Sequence, residues 1–104
     1  MPHPNRGEVW LADLGIAAKV RPCLVLSVPP DPQDRVLVTL VPHTTSVQGT
    51  RFEAVVPKQF LQAGAFDAQG LVTVARPRAL HQLGDLMPAE LALVEEAVKR
   101  WLGL

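Results

Sequence analysis

The apolar positions of this chain fall into several short runs and one long helical stripe, with turn residues between them. The run that organises the chain is Val20, Arg21, Pro22, Cys23, Leu24, Val25, Leu26 and Ser27, with Pro29 and Pro30 behind it. A run that short, with a turn signal after it, predicts a buried strand over residues 23–27. Pro22 stands at its first position, where a missing N–H costs the ladder least. Proline also keeps the residue before it out of the helical region, so Arg21 is expected to be extended and held at a strand entrance. Residues 6–14 alternate imperfectly and suit a first strand. Residues 35–41 are dominated by β-branched side chains and predict a third, central strand that ends at Pro42. Residues 51–56 alternate as a fourth strand, and residues 70–75 form a fifth, ended by Pro77. Connections this short suit antiparallel strands in a small curved barrel.

The segments between are read from their turn chemistry. Residues 1–5 carry two prolines and suit a loose arm. Residues 15–19 make a short connection. Residues 29–34, rich in proline and aspartate, form a turn. Residues 44–49 are a polar loop, residues 58–63 suit a single turn, and residues 65–69 are a bend between Gly64 and Gly70. Residues 79–84 are expected to be a short helix or a turn closed by Gly84. The clearest helix follows. Pro88 suits its first turn, and Leu91, Val94, Val98, Trp101 and Leu102 share one face. Glu90, Glu95 and Glu96 precede Lys99 and Arg100, an order that favours the helix dipole. That stripe predicts packing against the barrel. No repeat or linker divides the chain, so a single domain over residues 1–104 is expected.

Composition narrows the class. At 104 residues with 48% hydrophobic and 19% charged, the chain suits one globular domain with a modest core rather than a disordered segment. Lys plus Arg equals Asp plus Glu at ten each, so any nucleic-acid footprint must be local. Cys23 is the single cysteine; it cannot form an internal disulfide and reads as a small buried hydrophobe. No apolar leader and no membrane-length span is present, so a cytoplasmic location is the default expectation.

Candidate chemistry is found by removing what the residues do not support. His3, His43 and His81 are dispersed, with no partner at metal-ligand spacing. There is no glycine-rich phosphate loop and no nucleophile elbow. No metal and no cofactor is expected. Arg21 and the polar group His43, Thr44, Thr45 and Ser46 remain. If two antiparallel strands bring them to one rim, the guanidinium can hold a phosphate by two parallel bonds. The threonine hydroxyl can donate to a non-bridging oxygen. RNA carries its own nucleophile, the 2′-hydroxyl, so such a site could cleave it without a metal. His43 is the candidate acid or base from its ordinary pKa. The plainer alternatives are that Arg21 is a surface residue before a proline and that residues 44–49 are an ordinary loop.

The order of motifs resembles the MazF/PemK toxin family. The resemblance is carried by Arg6, Gly7, Glu8, Val9 and Trp10, then Arg21 and Pro22 before the apolar strand ending in Ser27. Val41, Pro42, His43, Thr44 and Thr45 follow, then Phe52, Glu53, Ala54, Val55 and Val56. Phe66, Asp67, Gln69, Leu80, Leu83, Gly84 and the closing helix through Trp101 to Leu104 agree. The resemblance implies a mainly β, α+β fold: an SH3-like small barrel of the PemK/CcdB type with a C-terminal helix, forming a homodimer. It also implies the toxin of a type II toxin–antitoxin module, a cytoplasmic, metal-independent endoribonuclease selective for single-stranded RNA sequences. Such enzymes leave 2′,3′-cyclic phosphate and 5′-hydroxyl ends and are held inactive by a cognate antitoxin. Arg21 then stabilises charge and transfers a proton, and Thr44 holds the scissile phosphate. Thr45, Ser46, Lys19, Arg51, Arg76 and Arg78 are RNA-contact candidates. Residues 15–19 depart from the family loop that carries a serine, which leaves the third site residue unassigned. The alternatives on the same fold are a CcdB-like gyrase inhibitor that cuts no RNA and a degenerate member that only binds antitoxin.

Overall fold

The computed structural model describes residues 2–15 and 19–104. Among them the strands are β1 (Glu8–Asp13), β2 (Val20–Val25), β3 (Leu37–Thr44), β4 (Glu53–Ala54), β5 (Ala65–Asp67), β6 (Val72–Ala75) and β7 (Ala79–Asp85). The helix α1 (Pro88–Leu102) closes the chain, and two single 3-10 turns occupy Ala68–Gly70 and Arg76–Arg78. Every strand pair is antiparallel, in the order β4-β5-β3-β2-β1-β7, with β6 also on β3. This is the mainly β fold with a C-terminal helix that the resemblance implies. Among the described residues the pairing leaves β4 and β7 unjoined, so the barrel is open rather than closed.

Both faces of the central strands β1, β2 and β3 are buried along most of their length, and this explains why they read as near-continuous apolar runs. Neighbours along a strand point to opposite faces. Val9, Leu24 and Val41 pack with Val56, Phe66 and, from α1, Val94, Ala97 and Val98. Trp10, Ala12, Cys23, Val25, Val38, Leu40 and Ala79 form a second core on the other face. Each fully buried Leu or Val contributes roughly 1.5–3 kcal/mol by leaving water.

The helix begins where expected, with Pro88 at its first position and the Glu90 carboxylate accepting the Met87 N–H at 2.8 Å. Gly103 ends it at φ +73°, and Leu104 donates to the Lys99 carbonyl at 3.0 Å. Arg6 ties the N-terminal turn to both the Leu26 carbonyl and Glu95 of α1. The expected stripe contacts the core only as far as Val98. Trp101 is 44% exposed and meets Phe52 edge-on at 5.2 Å, outside the core.

Several expectations are corrected. Residues 79–84 are neither a helix nor a turn but most of β7, paired with β1 from Glu8↔Asp85 to Ala12↔Ala79. The open edge of β1 needs backbone partners, and that demand outweighs the weak local propensity of Leu80, His81 and Gln82. Gly84 is not a helix stop. A Cβ there would lie 2.5 Å from the Phe60 ring, so its missing side chain makes the seat for Phe60. The bend at residues 65–69 contains β5, which pairs with both β3 and β4. The fourth strand shrinks to Glu53 and Ala54, because the Glu53 carboxylate holds the preceding turn by accepting N–H bonds from Gln48 and Thr50 (3.0 and 2.8 Å). The second strand starts at Val20, so Pro22 is its third residue; it pairs with β1 alone there and leaves its other edge unladdered. Pro42 does not end β3, because it falls where β3 passes from β6 to β5. The N-terminal arm is tied down: Pro4 is fully buried and Arg76 donates to the Pro2 carbonyl at 2.8 Å.

Candidate active site

The site arises where a ladder stops. β2 and β3 pair as Val25↔Leu40, Leu24↔Val41 and Cys23↔Pro42, and no further. Continued, that register would set Arg21 opposite Thr44. Instead β3 turns its last two residues to β5, as His43↔Phe66 and Thr44↔Ala65. Pro22 has no N–H to offer across the gap. The two strand ends therefore separate, and between them lies a cleft of about 400 Å³. Val20, Arg21, Pro22, His43, Thr44, Thr45 and Ser46 line it, together with Phe60 and Gln62.

Thr44 is fixed in this cleft. Its Oγ1 accepts the backbone N–H of Ser46 at 3.0 Å. With the oxygen engaged as an acceptor, its O–H is directed to donate elsewhere. Behind Thr44 stands Gly64. A Cβ there would be 2.1 Å from the Thr44 carbonyl oxygen and 2.7 Å from the His43 ring. Only glycine lets the two segments approach so closely.

His43 is 5% exposed and meets Phe66 edge-on at 5.1 Å. Burial holds its pKa below the ordinary 6.5, so it is a neutral imidazole near pH 7. Neighbours on a strand face opposite ways, yet both His43 and Thr44 border the cleft, because β3 changes partner at this point. Cys23 lies two residues from Arg21 with no exposed surface, and burial pushes its thiol up to about 12. A neutral, inaccessible thiol is no nucleophile; Cys23 is a core residue. Among the described residues no three His, Cys, Asp or Glu side chains gather to hold a metal ion.

The remaining cations stand apart from the cleft lining. Lys19 is exposed and holds φ +61°, at the end of the β1–β2 connection. The rest of that connection, residues 16–18, where the sequence departs from the family loop, lies outside the described residues. Arg51 lies over the Phe52 ring at 4.6 Å. Arg76 stacks on Trp10 at 5.1 Å and donates to the Ala79 and Pro2 carbonyls, which gives it a structural task. Arg78 faces the Asp13 carboxylate at 3.8 Å. Phe60 and Gln62 escaped the sequence reading. The segment holding them has no periodicity, and the pairing of Phe60 with Gly84 is visible only in three dimensions.

The fold and the cleft together define a small β-rich domain with one closing helix, of the kind the motif order suggested. Over residues 5–102 the chain matches the PemK-like, MazF-like toxins of type II toxin–antitoxin systems, and it belongs to that family. Similar solved structures agree. MazF from Deinococcus radiodurans is 27% identical with a TM-score of 0.83, covering 100% of both chains. An endoribonuclease from a Mycobacterial species, solved with its cognate antitoxin, is 25% identical with a TM-score of 0.82, covering 97% of this chain and 96% of that one. The MazE–MazF complex from Deinococcus radiodurans, at 23% identity and a TM-score of 0.82, shares the fold over 100% of this chain and 99% of its counterpart.

Proposed function

We propose that this chain is an endoribonuclease that cuts single-stranded RNA at preferred sequences, without a metal, by attack of the 2′-oxygen. The observation that carries this reading is that Arg21 and Thr44, distant in the chain, border one cleft where the β2–β3 ladder ends. Thr44 donates a hydrogen bond from its hydroxyl to a non-bridging oxygen of the scissile phosphate. Arg21 neutralises the charge that builds on phosphorus as the 2′-oxygen adds. The 2′-oxygen–phosphorus bond forms and the phosphorus–5′-oxygen bond breaks, as one proton passes net, by way of solvent water, from the 2′-hydroxyl to the departing 5′-oxygen. The products are a 2′,3′-cyclic phosphate and a 5′-hydroxyl. In this reading Arg21 also assists the proton transfer. His43, neutral and packed, serves first as the wall that holds Thr44 in place. Thr45 and Ser46 contact the RNA backbone, and Lys19, the residue before Val20 of the cleft lining, adds positive charge nearby.

The same reading makes the protein the toxin of a two-gene module. It acts in the cytoplasm as a homodimer and is silenced by a cognate antitoxin. No helix among the described residues is long and apolar enough to cross a membrane. The test is expression of the chain alone, and with Arg21→Ala, in a host lacking an antitoxin. Growth arrest with cleaved transcripts from the parent, and neither from Arg21→Ala, is expected. Arrest that survives the substitution would overturn the assignment of Arg21. Tight gyrase binding with intact RNA would favour the CcdB-like alternative.

A further inference from the structure

Arg21 borders a second cleft as well. It holds about 290 Å³ and is walled by Leu14, Arg21, Pro42, Asp67, Gly70 and Val72. That volume is roughly ten times the share of one water molecule, enough for a single flat heterocycle. A strand whose phosphate rests on Arg21 would carry one nucleotide toward each cleft. Apart from Arg21, the polar side chain in the second cleft is the Asp67 carboxylate; Leu14, Pro42 and Val72 supply apolar walls for a ring face.

The carboxylate is held in place. Asp67 Oδ1 accepts the Gln69 N–H at 3.0 Å, which fixes the group at the start of the 3-10 turn. Beside the other oxygen stands Gly70. A Cβ on Gly70 would sit 3.3 Å from Asp67 Oδ2 and 2.8 Å from Pro42 Cγ, so glycine keeps that space open. An ionised carboxylate only accepts hydrogen bonds. Single-stranded RNA is read by hydrogen bonds to the exposed edges of its bases. Guanine offers two adjacent N–H donors on one edge, whereas uracil offers one N–H between two repelling carbonyls.

We propose that this second cleft is a base-reading subsite in which Asp67 selects guanine beside the cleaved bond. The inference rests on the ribonuclease reading and assigns that reaction a specificity-determining residue. Asp67→Asn keeps an oxygen for the Gln69 N–H and replaces the other acceptor with a donor. Asp67→Ser keeps the capping oxygen and removes the charge, and serves if the asparagine variant folds poorly. The experiment maps the ends produced from a mixed-sequence RNA pool by the full-length parent and both variants. The expected result is guanine next to the parent's cut, with that preference falling about tenfold or more in the variants, as loss of a paired base contact implies. Cutting without guanine enrichment, or with the same enrichment in the variants, overturns the subsite and leaves the nuclease reading standing. Should the parent cut nothing, that reading fails, and the subsite is judged by NMR titration with 5′-GMP and 5′-UMP. GMP-selective shifts at the amides of residues 67–70, lost in the variants, support it; their absence overturns it.

Discussion

Replacing Gly64 by alanine tests the geometry of the cleft most sharply. The added Cβ would lie 2.1 Å from the Thr44 carbonyl oxygen, where real Cβ contacts essentially never fall below 3.0 Å. Something must retreat by about 1 Å, and the atoms in the way are backbone and a buried ring rather than a flexible side-chain tip. Overpacking of this kind costs about 1–3 kcal/mol. Against it stands a gain of about 0.4–1 kcal/mol from the stiffer unfolded chain. The net is a loss of about 1–2 kcal/mol, or a fall of about 4–16 °C in Tm for a domain near this size. Because Thr44 itself is displaced, RNA cleavage should fall about 100-fold, the typical cost of a 1 Å misplacement. Thermal and urea unfolding measure the first effect, and initial cleavage rates on a single-stranded oligonucleotide measure the second. An unchanged or raised Tm would refute the close approach. A lowered Tm with full cleavage would refute the role of Thr44.

Other outcomes follow from the same contacts. Thr44→Val removes the acceptor of the Ser46 N–H, which should cost about 1 kcal/mol and slow cleavage at least about 100-fold; Thr44→Ser should retain most of both. The His43 ring, followed by NMR, should titrate below 6.5. Its folded-state pKa is lowered, so the unfolded chain takes the proton first. The stability it supports is present above pH 6.5 and is lost as pH falls through the folded value, which unfolding curves across pH 7 to 5 will show. Cys23, with no exposed surface and a thiol pushed up to about 12, should resist alkylation at pH 8 until the chain unfolds; rapid labelling of the native protein would contradict its place in the core.

Much of the fold was legible in the sequence because burial on both faces leaves a plain signal. The runs around Val9, Leu24 and Val41 could only be strands, and the periodic stripe after Pro88 could only be a helix. What stayed hidden depends on partners distant in the chain. β7 lacks β-branched residues and exists because β1 needs an edge. β5 is three residues long, and its pairing at the end of β3 is what carries that strand past Pro42. The convergence of Arg21 with residues 43–46 could be suggested from sequence, since a proline and a strand end accompany both. The reason for it, a ladder that stops at Cys23↔Pro42, could not. Phe60 and Gln62 left no trace at all: nothing local marks Phe60 as the ring seated against Gly84, and the segment that holds Gln62 has no periodicity.

The central claim is that one guanidinium and one hydroxyl act together on a phosphodiester. The most direct measurement is incubation of the purified full-length chain with single-stranded RNA in the presence of a chelator, alongside Arg21→Ala, with the product ends identified by mass. The account predicts 2′,3′-cyclic phosphate and 5′-hydroxyl ends from the parent, and a rate about 100-fold lower or more from folded Arg21→Ala. Intact RNA with the parent, or equal cutting by Arg21→Ala, would contradict it.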